Sequence, residues 1–143
     1  MKNYIIDASV IVAIFIEKDT RSKKIYQQLI AEVENKEAVL LAPSFTLFEV
    51  ANALRFSKEF SNEDRRPIFE IWELISNSPI HFYNYDDLHI SFFSSIALLS
   101  RKLDTAFYDT YYHYLAITLD GTFLTRDKKY YAKAKKLGNI KCF

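Results

Sequence analysis

Tyr4-Ile5-Ile6-Asp7-Ala8-Ser9-Val10-Ile11-Val12 is the stretch on which the fold turns. An apolar run of strand length meets an aspartate, and a second apolar run follows with neither glycine nor proline between them. The first run reads as a strand buried on both faces, and Ser9 to Glu17 as a helix launched from its end. A strand feeding directly into a helix opens a βα unit, whose next strand lies parallel to the first. Asp7 stands at the junction, where an unpaired carboxylate costs several kcal/mol or takes up a proton.

Three more acids sit in comparably apolar contexts. Glu49 lies within Phe45-Thr46-Leu47-Phe48-Glu49-Val50-Ala51, Asp109 within Ala106-Phe107-Tyr108-Asp109-Thr110-Tyr111-Tyr112, and Asp127 follows Thr122-Phe123-Leu124-Thr125. Buried acids need a cation, a donor set or a metal beside them, so the four together point to a shared acidic site.

The chain has 143 residues, half of them apolar, which fits a single domain over residues 1–143. Net charge is +1, so any footprint for nucleic acid must be local. Cys142 is the only cysteine, which excludes an intrachain disulfide and fits a reducing compartment. Gly121 and Gly138 are the only glycines, which rules out a Rossmann fingerprint and a Walker A loop. Met1-Lys2 before an apolar run faintly suggests a secretory signal, but Asp7 splits the run and no small-residue cleavage site follows. No segment reaches the roughly 18 apolar residues of a membrane span, and a soluble, cytoplasmic protein is expected.

Along the chain, a helix is expected from Arg21 to about Asn35, a strand at Val39–Ala42, and a helix opened by Pro43 and Ser44 that runs to Phe56. A helix over Asp64–Asn77, with Pro67 in its first turn or at a kink, leads to a strand at Ile80–Tyr83. Helices Asp86–Lys102 and Thr105–Leu119, a strand at Thr122–Thr125, a helix Asp127–Leu137 stopped by Gly138, and an edge strand Ile140–Cys142 complete the chain. Short strands alternating with longer helices predict a three-layer α/β/α sandwich around a parallel sheet of four to five strands. Functional crevices in such sheets lie beyond the carboxyl ends of the strands, where Asp7 and Asp127 both fall.

Each acid also has a simpler reading. Asp7 and Asp127 precede helices and can cap them. Glu49 can face solvent beside Asn52 and Arg55. Asp109 lies on a helix that is apolar on nearly every side and is expected to be buried, where Arg101, Lys102 or Arg126 can pair with it. Asp104 rivals Asp109 but reads as an N-cap before Thr105. Past the last acid, Arg126, Lys128, Lys129, Lys133, Lys135 and Lys136 form a basic run that suits backbone phosphates or simply a solvated helix face. Tyr130 and Tyr131 suit base stacking or, more readily, the core. His81 and His89 stand apart from the acids, and His113, four residues after Asp109, is a weak candidate ligand.

Read in order, Ile5-Ile6-Asp7-Ala8-Ser9-Val10, Pro43-Ser44 leading to Phe48-Glu49-Val50-Ala51-Asn52-Ala53-Leu54, Tyr108-Asp109-Thr110-Tyr111-Tyr112-His113-Tyr114-Leu115-Ala116 and Phe123-Leu124-Thr125-Arg126-Asp127 resemble the PIN-domain nucleases, and among them the VapC-type toxins. The resemblance runs end to end. It implies a magnesium- or manganese-dependent endoribonuclease with Asp7, Glu49, Asp109 and Asp127 as its acidic quartet, and helper roles for Ser9, Asn52 and Thr125. It further implies a VapB-type antitoxin partner and a homodimer, for which the aromatic residues Phe45, Phe48, Phe56 and Phe60 offer surface. His113 and its neighbouring tyrosines, the scarcity of glycine and the near-neutral charge depart from the family pattern without touching an acid.

The chemistry follows from charge density. Carboxylates about 5 Å apart repel by roughly 3 kcal/mol per pair at an effective dielectric near 20, so an empty quartet holds a proton or takes a divalent cation. A receiver domain is disfavoured because Ala8 follows Asp7 and no acid closes the third strand. A haloacid-dehalogenase-type phosphatase is disfavoured because Ser9 stands where a second aspartate is needed. The alternative that stays open is a noncatalytic PIN-like module that binds RNA or protein.

Overall fold

The computed structural model describes residues 1–57, 66–84 and 90–143. Five parallel strands form the central sheet in the order β3-β2-β1-β4-β5: β1 Lys2–Ile6, β2 Ala38–Pro43, β3 Ile80–Tyr83, β4 Thr122–Thr125 and β5 Ile140–Cys142. Around it lie α1 Ala8–Ile11, α2 Thr20–Glu34, α3 Thr46–Phe56, α4 Arg66–Ser76, α5 Ile90–Leu103, α6 Phe107–Thr118 and α7 Lys128–Ala134.

Side chains alternate across a strand, and the two faces of the sheet carry separate cores. Ile6, Leu40, Ala42, Ile80 and Leu124 pack on one face with Val10 and Ile11 of α1, Leu29 of α2, Val50 and Leu54 of α3, and Ile71 and Ile75 of α4. Ile5, Leu41 and Phe123 point the other way, onto Tyr112, Leu115 and Ala116 of α6 and Tyr130 and Ala134 of α7. This is the expected three-layer arrangement. Because neighbouring residues serve opposite faces, the strands carry the unbroken apolar runs that mark a doubly covered sheet.

The direction of chain progression reverses between β1 and β4. The chain leaves β1 toward β2 and leaves β4 toward β5, so the helices that follow the two strands cover opposite faces. A crevice opens at the carboxyl ends of such a pair. Ile6 registers with Leu124, and the Asp7 amide donates to the Leu124 carbonyl at 3.3 Å, which puts Asp7 level with Thr125.

Several expected boundaries move. The helix after Asp7 is four α-helical residues followed by a π-helical turn, Val12–Ile16, with the Glu17 amide donating to the Val12 carbonyl at 2.9 Å. The second helix begins one residue early because Asp19 caps it, accepting from the Ser22 amide at 2.7 Å. Pro43 ends β2 instead of opening α3, since it registers with Tyr83 of the neighbouring strand. The last helix tightens to a 3-10 turn at Lys135–Leu137 and stops at Gly138, whose φ of 77° belongs to the left-handed region glycine adopts without penalty. Pro67 stands in the first described turn of α4. Phe60, His89 and the expected helix starts at Asp64 and Asp86 lie outside the described residues.

Candidate active site

Asp7 is buried, yet three donors reach it. Ser9 Oγ and Thr125 Oγ1 donate at 2.5 Å each, to Oδ1 and Oδ2, and the Val10 amide donates to Oδ1 at 3.1 Å as α1 begins. The acid is therefore a helix cap and the hub of a small network. Ser9 Oγ accepts the Arg126 amide at 3.0 Å and Thr125 Oγ1 accepts the Asp127 amide at 3.0 Å, so the two helper hydroxyls tie the end of β1 to the loop after β4. Burial pushes the Asp7 carboxyl above the usual aspartate range despite these donors.

Asp127 caps α7, with Oδ1 accepting the amides of Lys129 at 2.8 Å and Tyr130 at 2.9 Å. Glu49 sits in the first turn of α3, where Tyr112 Oη donates to its Oε2 at 2.5 Å and stands 2.7 Å from Thr46 Oγ1. Glu49 has already engaged the tyrosine as donor, so Tyr112 accepts from Thr46. Burial first, and then the charge of Asp7, raise the Glu49 pKa. Sequence reading passed over both hydroxyls, although a helical offset of three links Thr46 to Glu49 and Tyr112 to Asp109.

Asp109, in the first turn of α6, is half-buried instead of buried, because the start of its helix faces the crevice. No cation among the described residues pairs with it. Its carboxyl is pushed up to about 6 by burial and then by the charges of Asp127, Asp7 and Glu49. That coupling is the decisive observation at the site: four acids from four regions of the chain fall within one electrostatic neighbourhood. Among the described residues no three acids, histidines or cysteines already stand close enough to enclose an ion. The donor set nonetheless suits magnesium or manganese, which take carboxylate oxygens and retain several waters. No protein donor among the described residues reaches Glu49 Oε1 or Asp127 Oδ2, which leaves those oxygens for a cation or a water.

The other expected residues divide by place. Lys129 and Lys133 line a cleft of about 170 Å³ with Asp109 and Asp127. Lys133 Nζ reaches Asp104 Oδ2 at 2.9 Å and also the Asp104 carbonyl oxygen. Asp104 does not cap the next helix; it closes α5 with a φ of 52°, its side chain almost wholly exposed. Arg126 pairs with Glu17 at 2.7 Å, and Lys128 is exposed. Asn52 is exposed beside Glu49 in a second cleft. Tyr130 is a core residue. His113 is buried with both ring nitrogens engaged: the Gly138 carbonyl, 2.7 Å from Nε2, can only accept, so Nδ1 accepts from Tyr130 Oη at 3.0 Å.

The sequence profile of the PIN domain matches residues 4–136, nearly the whole chain. The chain belongs to the PIN domain family. No curated protein sequence matches it. Solved structures with the same fold as this PIN domain include VapBC2 from Rickettsia felis bound to a DNA fragment from its promoter, at 13% identity and a TM-score of 0.68, covering 99% of this chain and 97% of the other. PAE2754 from Pyrobaculum aerophilum has 19% identity, a TM-score of 0.63 and coverage of 97% and 83%. VapBC-1 from nontypeable Haemophilus influenzae has 17% identity, a TM-score of 0.59 and coverage of 98% and 97%. At such identities the likeness is one of fold. Among the described residues no helix is long and apolar enough to cross a membrane.

Proposed function

We propose that this PIN domain is a divalent-metal-dependent endoribonuclease that hydrolyses RNA phosphodiester bonds, and that it is the toxin of a toxin–antitoxin pair. The observation that carries the reading is the coupling of Asp7, Glu49, Asp109 and Asp127 at the carboxyl ends of β1 and β4. Asp7 and Asp109 would make the main metal contacts, with Glu49 and Asp127 as further ligands or water-orienting groups. A bound magnesium or manganese ion supplies positive charge against the phosphate and acidifies water. Ser9 and Thr125 hold the Asp7 carboxylate in one orientation, and Tyr112 does the same for Glu49. Lys129 and Lys133 steady the RNA backbone, while the attacking water's oxygen bonds to phosphorus and passes a proton to a site carboxylate, the P–O bond to the leaving oxygen breaks, and that oxygen takes up a proton from water. The toxin assignment, with a VapB-type antitoxin as protein partner, draws on the family and on two structures of the same fold that bear the VapBC name.

The test is cleavage of a mixed RNA pool by the wild type with magnesium or manganese, beside a chelator control and the Asp7→Asn and Asp109→Asn variants. Cleavage that stops on chelation and in both variants is the expected result; cleavage retained by either variant overturns the assignment. The second reading is a noncatalytic PIN-like module, favoured by the lack of a three-ligand cage among the described residues. RNA or protein binding without cleavage at any metal concentration decides for it.

A further inference from the structure

Among the described residues two clefts flank the four acids, and of the second the proposed chemistry uses Glu49 alone. This second cleft, about 370 Å³ in volume, is lined by Phe45, Phe48, Glu49, Asn52 and Tyr108. Phe45, at the N-cap of α3, and Phe48 and Asn52 within it recur at offsets of three and four and so form one stripe, while Tyr108 immediately precedes Asp109 on α6. Phe48 is 78% exposed and Tyr108 57%. The platform is braced from below: the Phe45 ring lies 5.3, 5.1 and 5.3 Å from the rings of Tyr108, Tyr111 and Tyr112. Two water-facing aromatic rings, an amide and a carboxylate thus surround one preformed recess.

We propose that this recess is a nucleobase subsite, in which an unpaired base beside the scissile phosphate stacks on Phe48 and Tyr108 while the Asn52 amide bonds its edge. The inference rests on the ribonuclease reading and adds to it the side chains of this chain that would hold a base beside the cleaved bond. Ring faces accept any base, and an amide offers both a donor and an acceptor to a base edge. Charge sets the direction of the strand. Lys129 and Lys133 on the far flank suit phosphates, whereas among the described residues the recess is lined by no cation and places Glu49 against a phosphate. An apolar peptide side chain in the same place would seal the half-buried Glu49 further from water without a partner, at a desolvation cost that a polar base edge avoids.

The experiment compares Phe48→Ala, Phe48→Tyr, Tyr108→Ala and Asn52→Ala with the wild type on a fluorogenic single-stranded RNA of randomised sequence. Removing either ring is expected to raise KM on the order of tenfold with kcat little changed, and Phe48→Tyr to restore it. In an Asp109→Asn background, single-stranded RNA carrying 2-aminopurine should show quenched fluorescence that Phe48→Ala relieves. Wild-type cleavage with KM and quenching unmoved by these variants overturns the subsite alone. No cleavage of any RNA by the wild type overturns the parent reading and the subsite together. Loss of a co-expressed protein partner in Phe48→Ala, with KM unchanged, overturns the subsite by making the recess a protein seat.

Discussion

The acids differ in how the protein holds them, and each difference has a measurable consequence. Asp109 has a folded pKa of about 6 against an ordinary 3.8. A carboxyl raised in this way contributes stability that is complete below its unfolded value and is lost as the pH rises through about 6. The lift corresponds to at most about 3 kcal/mol, and because the group is partly open to water, screening leaves about 1–2 kcal/mol. Asp109→Asn is therefore expected to raise the metal-free Tm at neutral pH, with the gain fading toward pH 3.8, measured by thermal denaturation across that range. An unchanged Tm at neutral pH would show that the quartet is not strained. Tyr112 stacks on Phe123, rings 5.6 Å apart and 7° from parallel, so Tyr112→Phe keeps the packing and removes only the hydroxyl. Thr46 and Glu49 then lose their shared partner, for an expected loss of about 1–2 kcal/mol by chemical denaturation. Metal affinity should fall roughly 10–100-fold by titration, as for other residues that orient a ligand.

At the scale of elements, the site depends on how β1 and β4 are brought side by side. The turn before β4 is knit by side-chain amides: Asn3 Nδ2 donates to the Leu119 carbonyl at 2.9 Å and Asn139 Nδ2 to the Gly121 carbonyl at 2.7 Å. A Cβ on Gly121 would stand 2.5 Å from the Asn3 carbonyl oxygen, a backbone atom that cannot swing aside. Gly121→Ala is expected to destabilise the fold by about 1–3 kcal/mol and, by parting β1 from β4, to weaken metal binding, both read by melting with and without metal. Destabilisation with metal affinity intact would separate the turn from the site. On the far side of α6, His113 fastens the helix to Tyr130 of α7 and to the Gly138 turn, which holds the segment carrying Lys129 and Lys133 against the sheet.

For the whole molecule, the proposed metal site makes protons and divalent cations competitors for the same four acids. Magnesium titration is expected to raise Tm by an amount that grows with the ratio of metal to Kd, about 2.7 kcal/mol of added stability at a hundredfold excess. The rise should be larger above pH 6 than near pH 3.8, because protonated carboxyls do not bind the ion; equal shifts at the two pH values would place the metal elsewhere. The alternation of short apolar runs with longer helices was enough to determine the three-layer parallel sheet, since strands covered on both faces have no polar side to display. Apolar context singled out Asp7, Glu49, Asp109 and Asp127, because carboxylates are seldom placed in such surroundings without a partner. Other features depended on distances between residues remote in sequence. The register of Ile6 with Leu124 joins Asp7 to Thr125. The Thr46–Tyr112–Glu49 relay spans α3 and α6, and Arg126 and Lys133, which the sequence offered to RNA phosphates or to solvent, pair with Glu17 and Asp104. Local sequence determines which residues are costly to bury; only the packed chain decides which neighbour offsets that cost, because those partners lie up to 118 positions away.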